Sequence, residues 1–119
     1  MILLLTLLVI KHFIWDFGYQ PPYMWQNKGT LWHMGGIVHS GIHAITTFVI
    51  LSFFMVYPLG ALILAVGEFI IHYFTDYTKM NINRKMGWGA TTHNEFWILT
   101  GLDQLIHYLT YIAILAVLF

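Results

Sequence analysis

Four pairs of ionisable residues could do chemistry in this sequence, because the two members of each pair are spaced four residues apart. The pairs are His12 and Asp16, His39 and His43, His72 and Asp76, and Asp103 and His107. A spacing of four places both side chains of a pair on one face of a helix. Each pair lies in a separate predicted helix, and the helical rise puts all four at a similar depth. We therefore predict that the pairs converge on one polar cluster.

Imidazoles and carboxylates without a thiol form a ligand set suited to Zn²⁺, Mn²⁺ or Fe²⁺. The chain has no cysteine, which excludes thiolate metal sites. Helical bundles build dinuclear sites from ligand pairs on facing helices. Because the pairs offer more donors than one tetrahedral ion needs, we predict one or two divalent ions. The preferred ligands are His12, Asp16, His43, His72, Asp76 and Asp103.

Four further residues are assigned to catalysis. His39, His107 or Glu68 would transfer protons, and Glu68, a turn outward of the others, could equally be a ligand or a partner of a ligand. Lys79 follows Asp76 by three residues, so it could hold a phosphate or carboxylate group of a substrate, or simply extend to the membrane interface. Two alternatives to a metal centre stay open: a relay for protons or substrate, and a purely structural polar network.

The composition indicates the surroundings of these groups. The chain has 119 residues, of which 59% are hydrophobic and only 8% charged, and its mean hydropathy is +0.72. A soluble domain carries about 25% charged residues. The net charge is zero, which excludes the basic surface that nucleic-acid binding requires. We therefore interpret residues 1–119 as a single-domain integral membrane protein.

The apolar stretches predict an all-α fold, a four-helix bundle that crosses the membrane. The predicted helices cover about residues 1–16, 34–57, 59–77 and 95–118, and the predicted loops cover 17–33 and 78–93. The first stretch lacks a basic segment and a cleavage site, so it is interpreted as a retained helix rather than a signal peptide. An ionisable group in a span costs about 2.5–3.5 kcal/mol, so the pairs are expected to face one another inside the bundle.

Fixed positive charge predicts the orientation of the chain. Lys28 lies in the first long loop, and Lys79, Arg84 and Lys85 lie in the second. The positive-inside rule then places both long loops in the cytoplasm and both termini outside it. The expected partners are membrane lipid and, through an apolar side face, a second copy of the chain, and no nucleic acid is expected.

The two halves of the sequence show a weak internal repeat. A shift of 60 residues aligns His12 with His72, Asp16 with Asp76 and, less exactly, His43 with Asp103. Each half would then be one helical hairpin, and the hairpins would be related by a pseudo-twofold axis along the membrane normal. The alternative is that two helical hairpins resemble each other without duplication.

The motifs also carry a resemblance. The segment 11–17, which reads KHFIWDF, together with Gln20 and Lys28, resembles the opening of a family of small phage and bacterial membrane proteins catalogued only as a domain of unknown function. The later elements His72-x-x-x-Asp76-x-x-Lys79 and, after Phe96, Asp103-Gln104-x-x-His107 are similar to that family's signatures. The resemblance covers nearly the whole chain and implies a phage or bacterial origin, hence a bacterial inner-membrane location. A weaker likeness is to inner-membrane proteins labelled metal-dependent hydrolases, which have Thr where Lys79 stands here.

Two hypotheses about function follow. The first is a membrane-embedded, metal-dependent hydrolase open to the cytoplasmic leaflet, in which a water molecule polarised by the cation is the nucleophile. A site at this depth suits a lipid or lipid-linked substrate, because the scissile bond of such a molecule already lies near the headgroups. The second is a non-enzymatic protein that uses the same His/Asp centre as a small transporter, a metal-binding carrier or a phage accessory membrane protein. No sequence feature decides between the two.

Overall fold

Helices make up the regular structure of the computed structural model, which describes residues 1–55 and 57–119. The elements are α1 (Ile2–Phe13), a π-helical turn (Ile14–Gly18), α2 (Pro22–Trp25), α3 (Met34–Ser52), α4 (Pro58–Met86) and α5 (Asn94–Leu118). None of the described residues lies in a β-strand. The predicted all-α class is confirmed.

Three of the helices are long and apolar enough to cross a membrane, namely α3, α4 and α5. The outer faces of α4 and α5 are apolar, and Ile63 and Ile98, for example, are each more than half exposed. α1 has only 12 residues, or about 18 Å at the usual helical rise. The long apolar helices are those of a membrane protein, as the composition indicated.

The ends of the helices have local causes. The imidazole of His33 accepts a hydrogen bond of 3.0 Å from the backbone N–H of Gly35 and so caps the start of α3. Gly35 is required there because a Cβ atom would lie 2.2 Å from the carbonyl oxygen of Tyr23. Pro58 occupies the first turn of α4, where its missing N–H costs nothing. Gly87 ends α4 in the left-handed conformation, with a φ of 68°.

The predicted helix bounds need three corrections. The predicted loop 78–93 is helical as far as Met86, because no Pro or Gly occurs between Thr78 and Met86. Hydropathy marks where a chain leaves the bilayer, and a helix can continue beyond that point. The predicted helix 1–16 is α-helical as far as Phe13 and continues as the π turn to Gly18, and the predicted loop 17–33 contains α2. The predicted helix 34–57 ends at Ser52, and its position 56 lies outside the described residues.

The long helices enclose one interior. α1 packs against α3 and α5, and α4 packs against the same two helices. At the end where α1 begins, the interior is apolar, and we call this part the apolar core: Leu4, Leu8, Leu51, Ala61, Ile114 and Leu115. Beyond Tyr111 the interior becomes ionisable, and we call this part the polar core: Lys11, His12, Asp16, Lys28, His39, His43, Glu68, His72, Asp76, Lys79, Asp103 and His107.

Candidate metal centre

Five imidazoles and three aspartates meet in the polar core. Each imidazole ring has its Nε2 atom close to a carboxylate. Three of these atoms lie near Asp16: those of His39 and His43 are 3.0 and 3.1 Å from Oδ1, and that of His12 is 3.3 Å from Oδ2. The other two lie near Asp76: that of His107 is 3.3 Å from Oδ1, and that of His72 is 3.4 Å from Oδ2. All five rings are almost completely buried. The structure therefore brings the four predicted pairs into one cluster.

One group within this cluster brings four potential metal donors close together. Asp16, His39, His43 and His72 each offer a donor atom, and these atoms all lie within 4.8 Å of one another. Within this group, Asp16 Oδ1 lies 3.0 Å from His39 Nε2 and 3.7 Å from His72 Nε2. The Nε2 atoms of His39 and His72 are 3.1 Å apart. Donors about 2.0–2.1 Å from a tetrahedral Zn²⁺ would be roughly 3.3 Å apart. These four side chains could hold a divalent cation.

Two further groups adjoin the first. One consists of His72, Asp76 and His107, and the other of Asp16, Asp103 and His107. The group that contains Asp103 shares only Asp16 with the four-donor group, and the two oxygens of Asp16 face different neighbours. Oδ1 faces His39, whereas Oδ2 accepts a hydrogen bond of 3.1 Å from the Gln104 amide. Asp16 therefore belongs to two of the three candidate donor groups.

His12 belongs to none of these groups, although the sequence predicted it to be a ligand. The Gln104 amide nitrogen donates to Asp16 Oδ2 and to Asp103 Oδ2, both at 3.1 Å, which fixes the orientation of the amide. The Gln104 carbonyl oxygen then faces His12 Nε2 at 2.9 Å, so this nitrogen must donate a proton to it. A protonated Nε2 has no free electron pair for a metal. The geometry makes His12 a positioning residue for Gln104 and brings His39 and His107 among the donors.

Two lysines reach into the same cluster. The ammonium group of Lys28 lies 2.9 Å from Asp76 Oδ2, and that of Lys79 donates to Asp103 Oδ2 at 3.0 Å. No lysine among the described residues lies within ion-pair distance of Asp16. Asp16 therefore contacts imidazoles and the Gln104 amide but no lysine among the described residues, and a cation would compensate its charge.

One buried carboxylate oxygen also favours a metal in this cluster. Asp103 Oδ1 accepts no hydrogen bond from the described part of the chain, and His107 Nε2 lies 3.4 Å from it. Buried polar atoms without a hydrogen-bond partner are rare because they lose their hydration. Asp103 belongs to the donor group that it shares with Asp16 and His107, and a cation held there would satisfy this oxygen.

A second network lies deeper, next to the apolar core. The Lys11 ammonium pairs with the Glu68 carboxylate, and the Tyr111 hydroxyl donates to Glu68 Oε1 at 3.1 Å. His12 Nδ1 lies 3.0 Å from the same hydroxyl oxygen and joins this network to the metal centre. The residue types and spacing predicted a role for Glu68 but identified neither Lys11 as its partner nor Tyr111. The available signal was the continuation of the four-residue spacing from His107 to Tyr111.

The backbone around the cluster explains how the donors are aimed. The π turn Ile14–Gly18 closes with a hydrogen bond of 2.7 Å from Tyr19 N–H to the Ile14 carbonyl. Such turns shift the direction of the side chains and are frequent at functional sites. The Gln20 amide donates to the carbonyl oxygen of Asp16 at 2.7 Å and holds this turn.

The extension of α4 holds the loop that carries Lys28. Asn81 and Arg84 donate side-chain hydrogen bonds of 2.9 and 3.1 Å to the carbonyl oxygen of Gly29. The carbonyl is therefore fixed next to Lys28, whose side chain is only 5% exposed. The part of α4 that the sequence predicted to be a loop thus positions a charged residue of the centre.

A cleft of about 330 Å³ leads from the surface to the cluster. Its polar lining includes Asp16, Gln20, Lys28, Lys79 and Gln104. Two of the predicted site residues, Asp16 and Lys79, therefore line a cleft on the side of the long loops. Water would reach Asp16 from this side.

Comparison with known proteins identifies a family without a known activity. No curated protein matches this chain, and no solved structure matches it. The model of one family, described as "Protein of unknown function (DUF3307)", matches residues 4–119. The matched region contains every member of the polar core. The chain therefore belongs to the DUF3307 family, as its His/Asp motifs indicated.

Proposed function

We propose that this protein is a membrane-embedded, metal-dependent hydrolase that acts on a lipid or lipid-linked substrate at the cytoplasmic leaflet. The four-donor group of Asp16, His39, His43 and His72 supports this proposal most directly, because its buried donor atoms all lie within 4.8 Å of one another. Its three imidazoles and one carboxylate suit Zn²⁺, Mn²⁺ or Fe²⁺. The group with Asp103 and His107 is the place for a second ion or for an acid/base pair.

A bound divalent cation would supply Lewis-acid polarisation of water and of the substrate oxygen. His107 lies between Asp76 and Asp103, with Nε2 at 3.3 and 3.4 Å from one oxygen of each. A nitrogen that faces two carboxylates carries a proton, and His107 can donate this proton to the leaving oxygen as the bond to that oxygen breaks. Asp103 can take one proton from the attacking water while the water oxygen forms its new bond to the substrate, and it then returns this proton to His107. Lys79, at the mouth, would hold an anionic group of the substrate.

We also propose a membrane arrangement for the chain. α1 with the π turn would form a fourth span, and two hairpin repeats would lie about a pseudo-twofold axis along the membrane normal. Lys11, Lys28 and Lys79 pair with carboxylates in the polar core, so the positive-inside rule now rests on Arg84 and Lys85. The charges of Arg84 and Lys85 still favour an orientation in which the long loops lie in the cytoplasm of a bacterial cell and both termini lie outside it.

One observation favours a metal-free alternative, in which the polar core serves a carrier or is a structural network. Four of the five acids of the chain lie in this core, and three lysines pair with three of them. One imidazolium would therefore be enough to balance the charge without a cation. The apolar core closes the interior of the bundle on the side away from the cleft, and this closure argues against a carrier.

Metal content of the purified protein tests the proposal. We expect at least one divalent ion per chain by elemental analysis of protein purified in detergent without chelator. Asp16→Asn keeps the shape of the side chain and removes its charge, so it should lose most of the metal, and Asp76→Asn should lose part of it. Glu95→Gln, at the exposed start of α5, is the matched control and should keep full occupancy.

A wild-type protein without stoichiometric metal would overturn the metal centre. The hydrolase activity is tested separately by incubating the metal-loaded protein with a bacterial lipid extract and measuring the products. Products that depend on the metal and disappear with Asp16→Asn are expected. A metal-loaded protein that releases none would overturn the hydrolase and favour the metal-binding carrier.

A further inference from the structure

A groove on the outer face of the molecule runs between α4 and α5. It encloses about 560 Å³, and most of its lining is apolar, with Ile70, Phe74 and Leu102 each more than two-fifths exposed. Because α4 and α5 are apolar enough to cross a membrane, these side chains face the hydrocarbon interior. The stretch of α4 along the groove, from Ile70 to Lys79, is roughly 13 Å long by helical rise. That length is close to one leaflet of a hydrocarbon core about 30 Å thick.

The groove changes character at its inner end. There α4 presents Thr75, Thr78 and Lys79, and α5 presents Asp103. The ion pair of Lys79 and Asp103, with 3.0 Å between Nζ and Oδ2, separates the groove from the cleft beside Asp16. Lys79 lines both cavities. The groove is therefore continuous with the candidate metal centre except for this one pair.

Lys79 is also the most accessible of the three lysines that pair with carboxylates in the polar core. Its side chain is 15% exposed, compared with 6% for Lys11 and 5% for Lys28. An anion that entered the groove would meet this ammonium first. The anion would then compensate the positive charge of Lys79, which Asp103 compensates in the structure. Asp103 would be free to act with Asp16 and His107, the donor group to which it belongs.

We propose that the groove between α4 and α5 binds one acyl chain of a phosphate-bearing membrane lipid, whose phosphate contacts the Lys79 ammonium. The inference rests on the proposed function and names the substrate class and the entry route of that site. The lipid enters sideways from the bilayer, its chain lies along Ile70 and Leu102, and its phosphate stops at the edge of the metal centre.

Native mass spectrometry of the full-length protein in detergent tests the binding. The probes are dioleoyl phosphatidic acid, dioleoylglycerol with the same chains, and inorganic phosphate. We expect one phosphatidic acid per chain, at least about tenfold weaker binding of dioleoylglycerol, and no retention of inorganic phosphate, because the site needs both chain and charge. Equal retention of the two lipids would exclude a phosphate contact, and retention of inorganic phosphate alone would exclude the acyl groove.

Two pairs of variants locate the site. Leu102→Trp fills the groove, whereas Leu105→Trp places the same ring on an equally exposed position of α5 that does not line it. Lys79→Met removes the proposed phosphate contact, whereas Lys85→Met removes an exposed charge further along α4. The first member of each pair should weaken phosphatidic acid binding about tenfold, and the second should leave it unchanged. Equal effects within either pair would overturn the proposal.

The same samples separate this inference from the proposed function. Thermal melting confirms that each variant is folded, and elemental analysis reports its metal. Protein that binds phosphatidic acid as expected but holds no metal would refute the hydrolase and leave the groove assigned. Protein that holds metal but shows no difference within the variant pairs would refute the groove and leave the metal centre intact.

Discussion

The apolar core and the polar core lie in the same interior, and their stability has different origins. In a membrane, packing of Leu4, Leu8 and Leu51 gains only close contact, because lipid tails are as apolar as these side chains. In the polar core, Lys11, Lys28 and Lys79 each have a specific carboxylate partner. Loss of one partner there leaves a charge without compensation. Shape therefore determines the apolar core, and matched charge determines the polar core.

The largest expected difference within the polar core is between two histidines. His39→Gln removes a donor of the four-donor group and should abolish most of the bound metal. His12→Gln should keep most of the metal, because His12 Nε2 already donates to Gln104. Elemental analysis of both variants, with wild type, measures the difference. If His12→Gln loses the metal and His39→Gln keeps it, the sequence-based assignment of the two residues is right and the structural one is wrong.

Removal of one partner of the deepest ion pair should have the next largest effect. Lys11→Met leaves Glu68 buried without its ammonium and should lower the free energy of unfolding by about 3–5 kcal/mol. Combining it with Glu68→Gln removes both charges and should recover most of that loss. Reversible unfolding in mixed detergent measures both variants. A double variant as unstable as Lys11→Met alone would show that charge matching does not stabilise this pair.

The apolar core should respond to loss of volume alone. Leu8→Ala leaves a cavity in a fully buried position and should cost about 2–3 kcal/mol of stability. Its metal content should equal that of wild type, because the change touches no donor. The same unfolding assay and elemental analysis apply, with Leu3→Ala on the exposed face of α1 as control. Loss of metal from Leu8→Ala would show that the two cores are coupled.

The smallest expected effect concerns the residue that orients the carboxylates. Gln104→Leu removes the amide that donates to Asp16 and Asp103 and should weaken metal affinity about tenfold, as changes to partners of metal ligands usually do. Competition with a metal-binding dye measures the affinity. Gln20→Leu, which loses only a contact to the Asp16 backbone, is the comparison and should have a smaller effect. An unchanged affinity in Gln104→Leu would exclude its positioning role.

The spacing of the polar residues was enough to predict that they meet. A period of four puts both members of a pair on one helical face, and the cost of a charge in lipid forces that face inward. The helix starts at Met34 and Asn94 lie within one residue of the predicted positions, because apolar runs and local caps are properties of nearby residues. The extension of α4 to Met86 escaped prediction because hydropathy reports the membrane boundary.

The roles of individual residues required the tertiary structure. The sequence by itself determined the residue types, their helical faces and their common depth, and these established a His/Asp cluster inside apolar helices. Whether His12 or His39 offers an electron pair depends on the orientation of Gln104, which lies on another helix. Lys28 appeared to be a loop charge until folding placed it against Asp76. Spacing along one helix determines the direction in which a side chain points. A hydrogen bond between helices depends on the distance between them, and only the packing of the helices sets that distance.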